Sequence, residues 1–150
     1  MIRLLTALLT VALVSTFGSV RAEDKKEVKG DKAKPTGVWA KEIDGMKLTF
    51  DFSKPDALIL TAGSGDNALI LTGKYTVEKD GLIKVTTTKS EIKGEFPVQP
   101  KEGFLFEFKL KTDGKTATIS NYDASEDADG ARAAVEGEYT KAEPKKKDDK

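Results

Sequence analysis

Apolar and polar residues alternate one by one along much of residues 36–140. In Met46–Ser53, every second residue is apolar or aromatic and the residues between them are polar. The same alternation recurs over Leu69–Val77 and over Phe104–Lys111. Because successive side chains of a β-strand point to opposite faces, this pattern is typical of strands that bury one face. The chain is therefore expected to be built from β-strands.

Runs of this kind predict about nine short strands, each near the usual length in β proteins. A single open sheet of that size would leave an apolar face and two edges exposed. A closed barrel buries the apolar face and removes the edges. The sequence therefore predicts an all-β fold, an antiparallel up-and-down β-barrel of about eight or nine strands, in one domain at residues 36–140.

Turn signals lie between the alternating runs. Asp-Gly pairs, which suit tight turns between antiparallel strands, occur at Asp44-Gly45, Asp80-Gly81 and Asp113-Gly114. Gly63–Asn67 is glycine-rich and polar, and it is predicted to be a flexible loop. Glu126–Val135 contains a glycine and only weak helical periodicity, so a loop or a single turn is expected there rather than a packed helix.

The second half of the domain repeats landmarks of the first half in the same order. Similar order is expected from an internal duplication, although any antiparallel meander reuses glycines, aromatics and Asp-Gly turns. The matched segments are Gly37-Val38-Trp39 with Gly94-Glu95-Phe96, the strand after Gly45 with the strand after Gly103, Leu58–Thr61 with Thr116–Ser120, and Gly73–Thr76 with Gly137–Thr140.

The first 22 residues have the three parts of a cleavable signal peptide. A positive start ends at Arg3, an apolar run covers Leu4–Val14, and small residues precede a cleavage site after Ala22. The apolar run is shorter than the ~20 residues that cross a bilayer, so no membrane anchor is expected after cleavage. The sequence predicts a secreted or periplasmic protein.

Both ends of the mature chain are highly charged. Residues 23–35 and 141–150 contain almost no large apolar side chains, so they are predicted to be a disordered linker and a disordered tail. The whole chain holds 25 basic and 25 acidic residues, and removal of Arg3 and Arg21 leaves a net charge of about −2. Near-balanced charge does not favour nucleic acid as a partner. A monomer is expected, and without cysteine its fold depends on packing alone.

The chain contains neither histidine nor cysteine, which removes serine and cysteine triads and the usual transition-metal ligands. The sequence singles out no carboxylate pair for catalysis, so a non-enzymatic protein without a cofactor is expected. One acidic segment resembles a calcium loop because oxygen-bearing side chains recur at every second residue, and its candidate ligands are Asp123, Asp127 and Asp129. The alternative is an acidic surface loop, since its flanks have the pattern of strands.

The Gly37-x-Trp39 pair at the first strand and the Gly137-x-Tyr139 strand at the end of the meander resemble lipocalin-like barrels of the calycin type. They are also similar to small secreted paralogous domains of unknown function from planctomycete bacteria. The resemblance covers about residues 36–140 and implies a barrel with a cavity for a small apolar ligand. It also implies an arginine beside the tryptophan, for which Arg132 is the candidate.

Seven apolar or aromatic residues share the core-facing phase and are candidates for lining a ligand cavity. They are Trp39, Leu48, Phe50, Tyr75, Phe106, Phe108 and Tyr139. One hypothesis is a secreted barrel that binds a small hydrophobic ligand at the mouth opposite Trp39. The alternative is a structural or interaction module of the cell envelope, or an inhibitor. In that case the barrel is filled and its loops contact a protein or a polysaccharide.

Overall fold

The computed structural model describes residues 34–97 and 99–143. The predicted signal peptide, most of the charged linker and most of the charged tail lie outside the described residues. Within that part of the chain, eight strands and one helix follow one another. They are β1 (Val38–Ile43), β2 (Met46–Lys54), β3 (Ala57–Ser64), β4 (Asn67–Val77), β5 (Leu82–Lys93), β6 (Leu105–Thr112), β7 (Thr116–Ala124), α1 (Ala128–Val135) and β8 (Gly137–Ala142).

Each strand pairs antiparallel with the next strand in the sequence, and β1 pairs with β8, which closes the barrel. The prediction of an all-β, antiparallel up-and-down barrel is confirmed, with eight strands. An eight-stranded antiparallel barrel is consistent with the lipocalin-like architecture that the sequence resembles. No helix formed by the described residues is long and apolar enough to span a membrane.

The hairpin turns follow from residues that tolerate a positive φ angle. At the β1–β2 turn, Asp44 and Gly45 have φ angles of 50° and 77°, as a type I′ turn requires. The β3–β4 turn corrects the sequence interpretation of Gly63–Asn67 as a flexible loop. Ser64 and Asn67 are paired strand residues, and a tight turn at Gly65-Asp66 joins them.

The ladders of the barrel differ in length. Ten residue pairs join β4 to β5, whereas five join β5 to β6. Only three pairs, between Val38–Ala40 and Thr140–Ala142, join β1 to β8. The seam where the barrel closes is therefore its shortest ladder.

The segment before β8 is a helix, and this corrects the expectation of a loop or a single turn. Helix α1 makes two turns, with Asp127 in the left-handed region at its start and the buried Val135 at its end. The strand pattern predicted to flank the acidic segment holds on its C-terminal side only from Gly137 onward, where β8 begins. A helix competes well here because it places Val135 in the same hydrophobic core that a strand would have reached.

Candidate functional site

The seven predicted cavity-lining residues all lie inside the barrel. Each of them is at most 4% exposed. They come from β1, β2, β4, β6 and β8 and belong to one hydrophobic cluster. The sequence pattern correctly predicted that these side chains face the interior of the barrel. How they pack decides whether the interior has room for a ligand.

Aromatic rings meet across the middle of the barrel. Phe50 lies on β2 and Phe108 on β6, which are four strands apart in a ring of eight and therefore on opposite walls. Their ring centroids are nevertheless 5.2 Å apart in an edge-to-face arrangement. Tyr139 packs against Phe50 at 5.5 Å, and Phe106 stacks on Phe108 at 6.2 Å. The centre of the barrel is filled by side chains.

Near the first residues of β1, a cation lies over the tryptophan ring. The Nζ atom of Lys141, on β8, is 5.8 Å from the centroid of the Trp39 ring. The candidate for this role from the resemblance, Arg132, lies elsewhere. Its Nε atom donates to the carbonyl of Tyr122 at 3.0 Å, and its Nη1 atom lies 3.3 Å from a carboxylate oxygen of Asp129. A lysine thus supplies the cation–π contact that the resemblance assigned to an arginine.

A second lysine is tied to the end of helix α1. Lys41 shares the core-facing phase of Trp39, and its Nζ atom donates to the carbonyl of Glu136 at 2.5 Å. The same atom lies 5.1 Å from the centroid of the Tyr139 ring. Burial lowers the pKa of Lys41, and the nearby Glu136 carboxylate partly offsets that effect. A cation at the C-terminal end of a helix is favourable, so Lys41 connects β1 to α1.

Three buried polar atoms lack a hydrogen-bond partner within the described part of the chain. They are Nε1 of Trp39, Oγ1 of Thr87 and Oγ of Ser90. Thr87 is only 2% exposed. Buried polar groups are normally hydrogen-bonded, so these atoms are the one interior feature that favours a small bound molecule.

The three calcium candidates do not converge on one point. Asp123 is an exposed residue of β7, and Asp127 precedes α1. Asp129 lies in the first turn of α1, where it pairs with Arg132. The Glu136 carboxylate accepts a hydrogen bond from the backbone N–H of Tyr122 at 2.7 Å. Among the described residues, no group of three or more acidic side chains is placed to hold a metal ion.

The outer face of the barrel carries a depression that the sequence did not indicate. This outer groove crosses β4 to β7 and has a volume of about 610 Å³. Leu105 in the groove is 51% exposed, and it is the one large hydrophobic side chain that is exposed in the described chain. The outward-facing residues that line the outer groove are Lys74, Thr76, Lys84, Thr86, Leu105, Glu107, Asp123 and Ser125.

Two further depressions also lie at the periphery. One of about 620 Å³ crosses the outside of β1 to β3, where it is lined by polar residues such as Thr49, Asp51 and Thr61. The other, of about 280 Å³, lies where residues 34–37 approach Phe52 and Tyr75. Of these three depressions, only the outer groove combines an exposed leucine with charges of both signs.

Charges in the outer groove are separated by sign. Lys74 and Lys84 lie on β4 and β5, whereas Glu107 and Asp123 lie on β6 and β7. In the strand register, Glu107 is directly opposite both Lys84 and Asp123. Like charges directly opposite each other destabilise a sheet. No Lys or Arg nitrogen among the described residues lies within 4.0 Å of either carboxylate, since Lys84 instead pairs loosely with Glu78 at 3.8 Å.

Comparison of this chain with models of protein families, with curated proteins and with solved structures found no match. The strand order and the packing define its class, which is a closed, eight-stranded antiparallel barrel with an aromatic core.

Buried tyrosines give the barrel an alkaline limit of stability. Burial raises the pKa of Tyr122 to about 12 and raises the pKa of Tyr139 further. A raised pKa in the folded state means that the stabilisation is complete below the unfolded value of about 10 and is lost as the pH rises above it. The free energy of unfolding should then fall by up to about 1.4 kcal/mol per pH unit for each tyrosine. The pKa of Lys41 is lowered in the folded state, so just below its unfolded pKa of ~10.4 this residue makes the free energy of unfolding rise with pH.

Urea unfolding between pH 8 and 12 measures this dependence. A double variant, Tyr122→Phe with Tyr139→Phe, should lose most of the decline. It should start from a lower value at pH 8 because the hydroxyl of Tyr139 donates to the carbonyl of Val135 at 2.6 Å. An equally steep decline in the double variant would show that other groups set the alkaline limit.

Proposed function

We propose that this chain is an exported, non-enzymatic interaction module of the cell envelope whose barrel interior is filled and which binds its partners through its outer surface. The observation that carries the proposal is the ring contact between Phe50 and Phe108 across the barrel. A ligand at the centre would have to displace both rings, which are completely buried. Repacking a dense core is costly, so the interior is a poor binding site.

The outer surface offers what the interior lacks. The outer groove presents an exposed apolar side chain, Leu105, between cationic and anionic sides. Apolar contact flanked by complementary charge is the usual composition of a protein–protein contact surface. The groove is open to solvent, and exclusion of water is what strengthens electrostatic catalysis. Its Glu107 and Asp123 therefore fit recognition better than catalysis.

A small-molecule carrier is the second candidate function. It is favoured by the unpartnered polar atoms of Trp39, Thr87 and Ser90, which a polar group of a ligand could satisfy. Such a ligand would be compact, because the rings of Phe50 and Phe108 fill the centre of the barrel. The two candidates differ in whether the interior holds a molecule.

Native mass spectrometry of the protein purified from its own host tests the proposal. We expect the mass of the polypeptide alone, with no stoichiometric small molecule. The fluorescence of Trp39, the only tryptophan, should also be unchanged by micromolar hydrophobic probes. Phe108→Ala, which removes a ring from the centre, is the positive control for both measurements. A reproducible bound molecule in the wild-type protein would overturn the proposal in favour of a carrier.

A further inference from the structure

We propose that the outer groove is a self-association surface that binds the outer groove of a second copy of this chain. The two copies would be related by a two-fold axis parallel to β5 and β6. The inference rests on the proposed function in taking the outer surface as the binding surface, and it names a second copy as the partner. The sequence alone predicts a monomer, so this partner follows only from the three-dimensional arrangement.

The charges of the outer groove are ordered by sign from strand to strand. In the sheet the strands lie in the order β4, β5, β6, β7. One transverse row of outward residues is Thr76, Lys84, Glu107 and Asp123. Lys74 adds a second cation on β4, next to this row. The groove therefore changes from cationic on one side to anionic on the other.

The symmetry of a two-fold dimer suits this order of charges. A two-fold axis along the strands, placed between β5 and β6, exchanges β5 with β6 and β4 with β7. It sets Glu107 of one copy over Lys84 of the other, and Asp123 over the strand that carries Lys74. An axis across the strands would instead set cation over cation and anion over anion. Only the first arrangement gives an isologous interface with complementary charges.

The centre of the outer groove holds the exposed side chain of Leu105. Thr86 and Leu105 are directly opposite in the register of β5 and β6. The same axis places Leu105 of each copy over Thr86 of the other. Both copies of the exposed leucine are then covered in the middle of the interface, where apolar contact contributes most to binding.

Two carboxylates of the outer groove are not neutralised by a cation of the described chain. Within the described chain, Glu107 and Asp123 have no cation within 4.0 Å, although they lie directly opposite each other. Lys84 has a side chain that is 52% exposed, and in the dimer it would exchange its 3.8 Å contact with Glu78 for Glu107 of the second copy. Removal of the predicted signal peptide, with Arg3 and Arg21, leaves a net charge of only about −2, so two exported copies repel each other little at long range.

The strength of the dimer follows from its size. Twelve residues line the groove, compared with the 20 to 30 that a typical stable interface takes from each side. We therefore expect a weak dimer, with a dissociation constant in the micromolar range. Because the charged rim is exposed, moderate salt should weaken it.

Charge inversion tests the proposal with two complementary variants. The first carries Lys74→Glu and Lys84→Glu, and the second carries Glu107→Lys and Asp123→Lys. Sedimentation equilibrium should show that the wild type dimerises and that each variant alone dimerises at least about tenfold more weakly, because its grooves are of one sign. An equal mixture of the two variants should form a 1:1 heterodimer, because the anionic groove then faces the cationic one.

Lys47→Glu with Lys111→Glu is the matched control for the first variant, because it makes the same change in net charge at exposed residues outside the groove. It should dimerise like the wild type. If a charge variant fails to fold by circular dichroism, Leu105→Asp provides the same test at one exposed position. A wild type that stays monomeric at about 1 mM, or folded variants that do not associate when mixed, would overturn the inference. Neither result would place a small molecule in the barrel, so the proposed function is tested separately.

Discussion

Replacing Phe108 with alanine is expected to lower the free energy of unfolding by about 3–5 kcal/mol, the largest effect of any single change considered for this barrel. The ring is fully buried and contacts Phe50, on the opposite wall, at 5.2 Å. Alanine would remove the apolar surface and leave a cavity that a rigid closed barrel cannot collapse around. Chemical denaturation at neutral pH, followed by Trp39 fluorescence, measures the loss.

Two comparisons make this result specific. Leu105→Ala removes a large side chain from the outer groove and should change stability by no more than about 0.5 kcal/mol. A small aromatic such as benzene should restabilise Phe108→Ala but not the wild type, because an apolar cavity stays dry and accepts such a molecule. If Phe108→Ala lowered the free energy of unfolding by less than about 1 kcal/mol, the ring would not be needed to fill the centre of the barrel.

Replacing Gly73 with alanine is expected to cost about 1–3 kcal/mol through overpacking. A Cβ atom at Gly73 would lie 2.7 Å from Cγ1 of Val85 and 2.8 Å from the carbonyl oxygen of Thr86. Val85 is buried and β-branched, so its methyl group cannot easily move aside. Gly73 also lies at an irregularity in the β4–β5 register, where the two strands must approach closely.

Gly130→Ala is the matched control, because it is the same substitution at a helical position. The three atoms nearest to its Cβ atom would all belong to the carboxylate of Asp127, which makes no side-chain capping hydrogen bond and can rotate away. We therefore expect Gly130→Ala to stabilise the protein by up to about 1 kcal/mol through helix propensity. Thermal unfolding of both variants measures the two effects, and a loss in both of them would contradict the steric explanation.

The strands were predictable because, in a half-buried strand, the polarity of each residue indicates whether it faces the core or the solvent. The alternation over Met46–Ser53 needs no tertiary information, and β2 reproduces it as buried and less buried residues in turn. The Asp44-Gly45 turn was equally local, since its positive φ angles suit few other residue pairs. Closure into a barrel followed from the need to cover one face and remove the edges.

Other features depend on contacts that the sequence does not contain. Helix α1 is stabilised by burial of its own Val135 in the barrel core and by the contact of Lys41, on β1, with the carbonyl of Glu136. Both contacts involve strands that are distant in the sequence. The cation beside Trp39 is Lys141 because β8 pairs with β1 in a register that sets those two residues side by side. The outer groove arises in the same way, since only the pairing of four strands brings Lys74 and Asp123 to one surface. The internal duplication stays a prediction, although its Gly94–Phe96 landmark lies in a loop rather than in a strand.

The three-pair seam between β1 and β8 has a consequence for the order of folding. Every other ladder joins strands that are consecutive in the chain, so each can form with the loss of only a short loop's entropy. The seam joins Ala40 to Thr140. Closing a loop of about 100 residues costs about 4 kcal/mol of chain entropy if nothing else is formed, and much less once the intervening hairpins are in place. Contacts between β1 and β8 are thus expected to form late in folding, after the local hairpins have brought these two strands close together. Mutations at the seam should therefore change the unfolding rate and leave the folding rate almost unchanged, which corresponds to kinetic φ-values near zero.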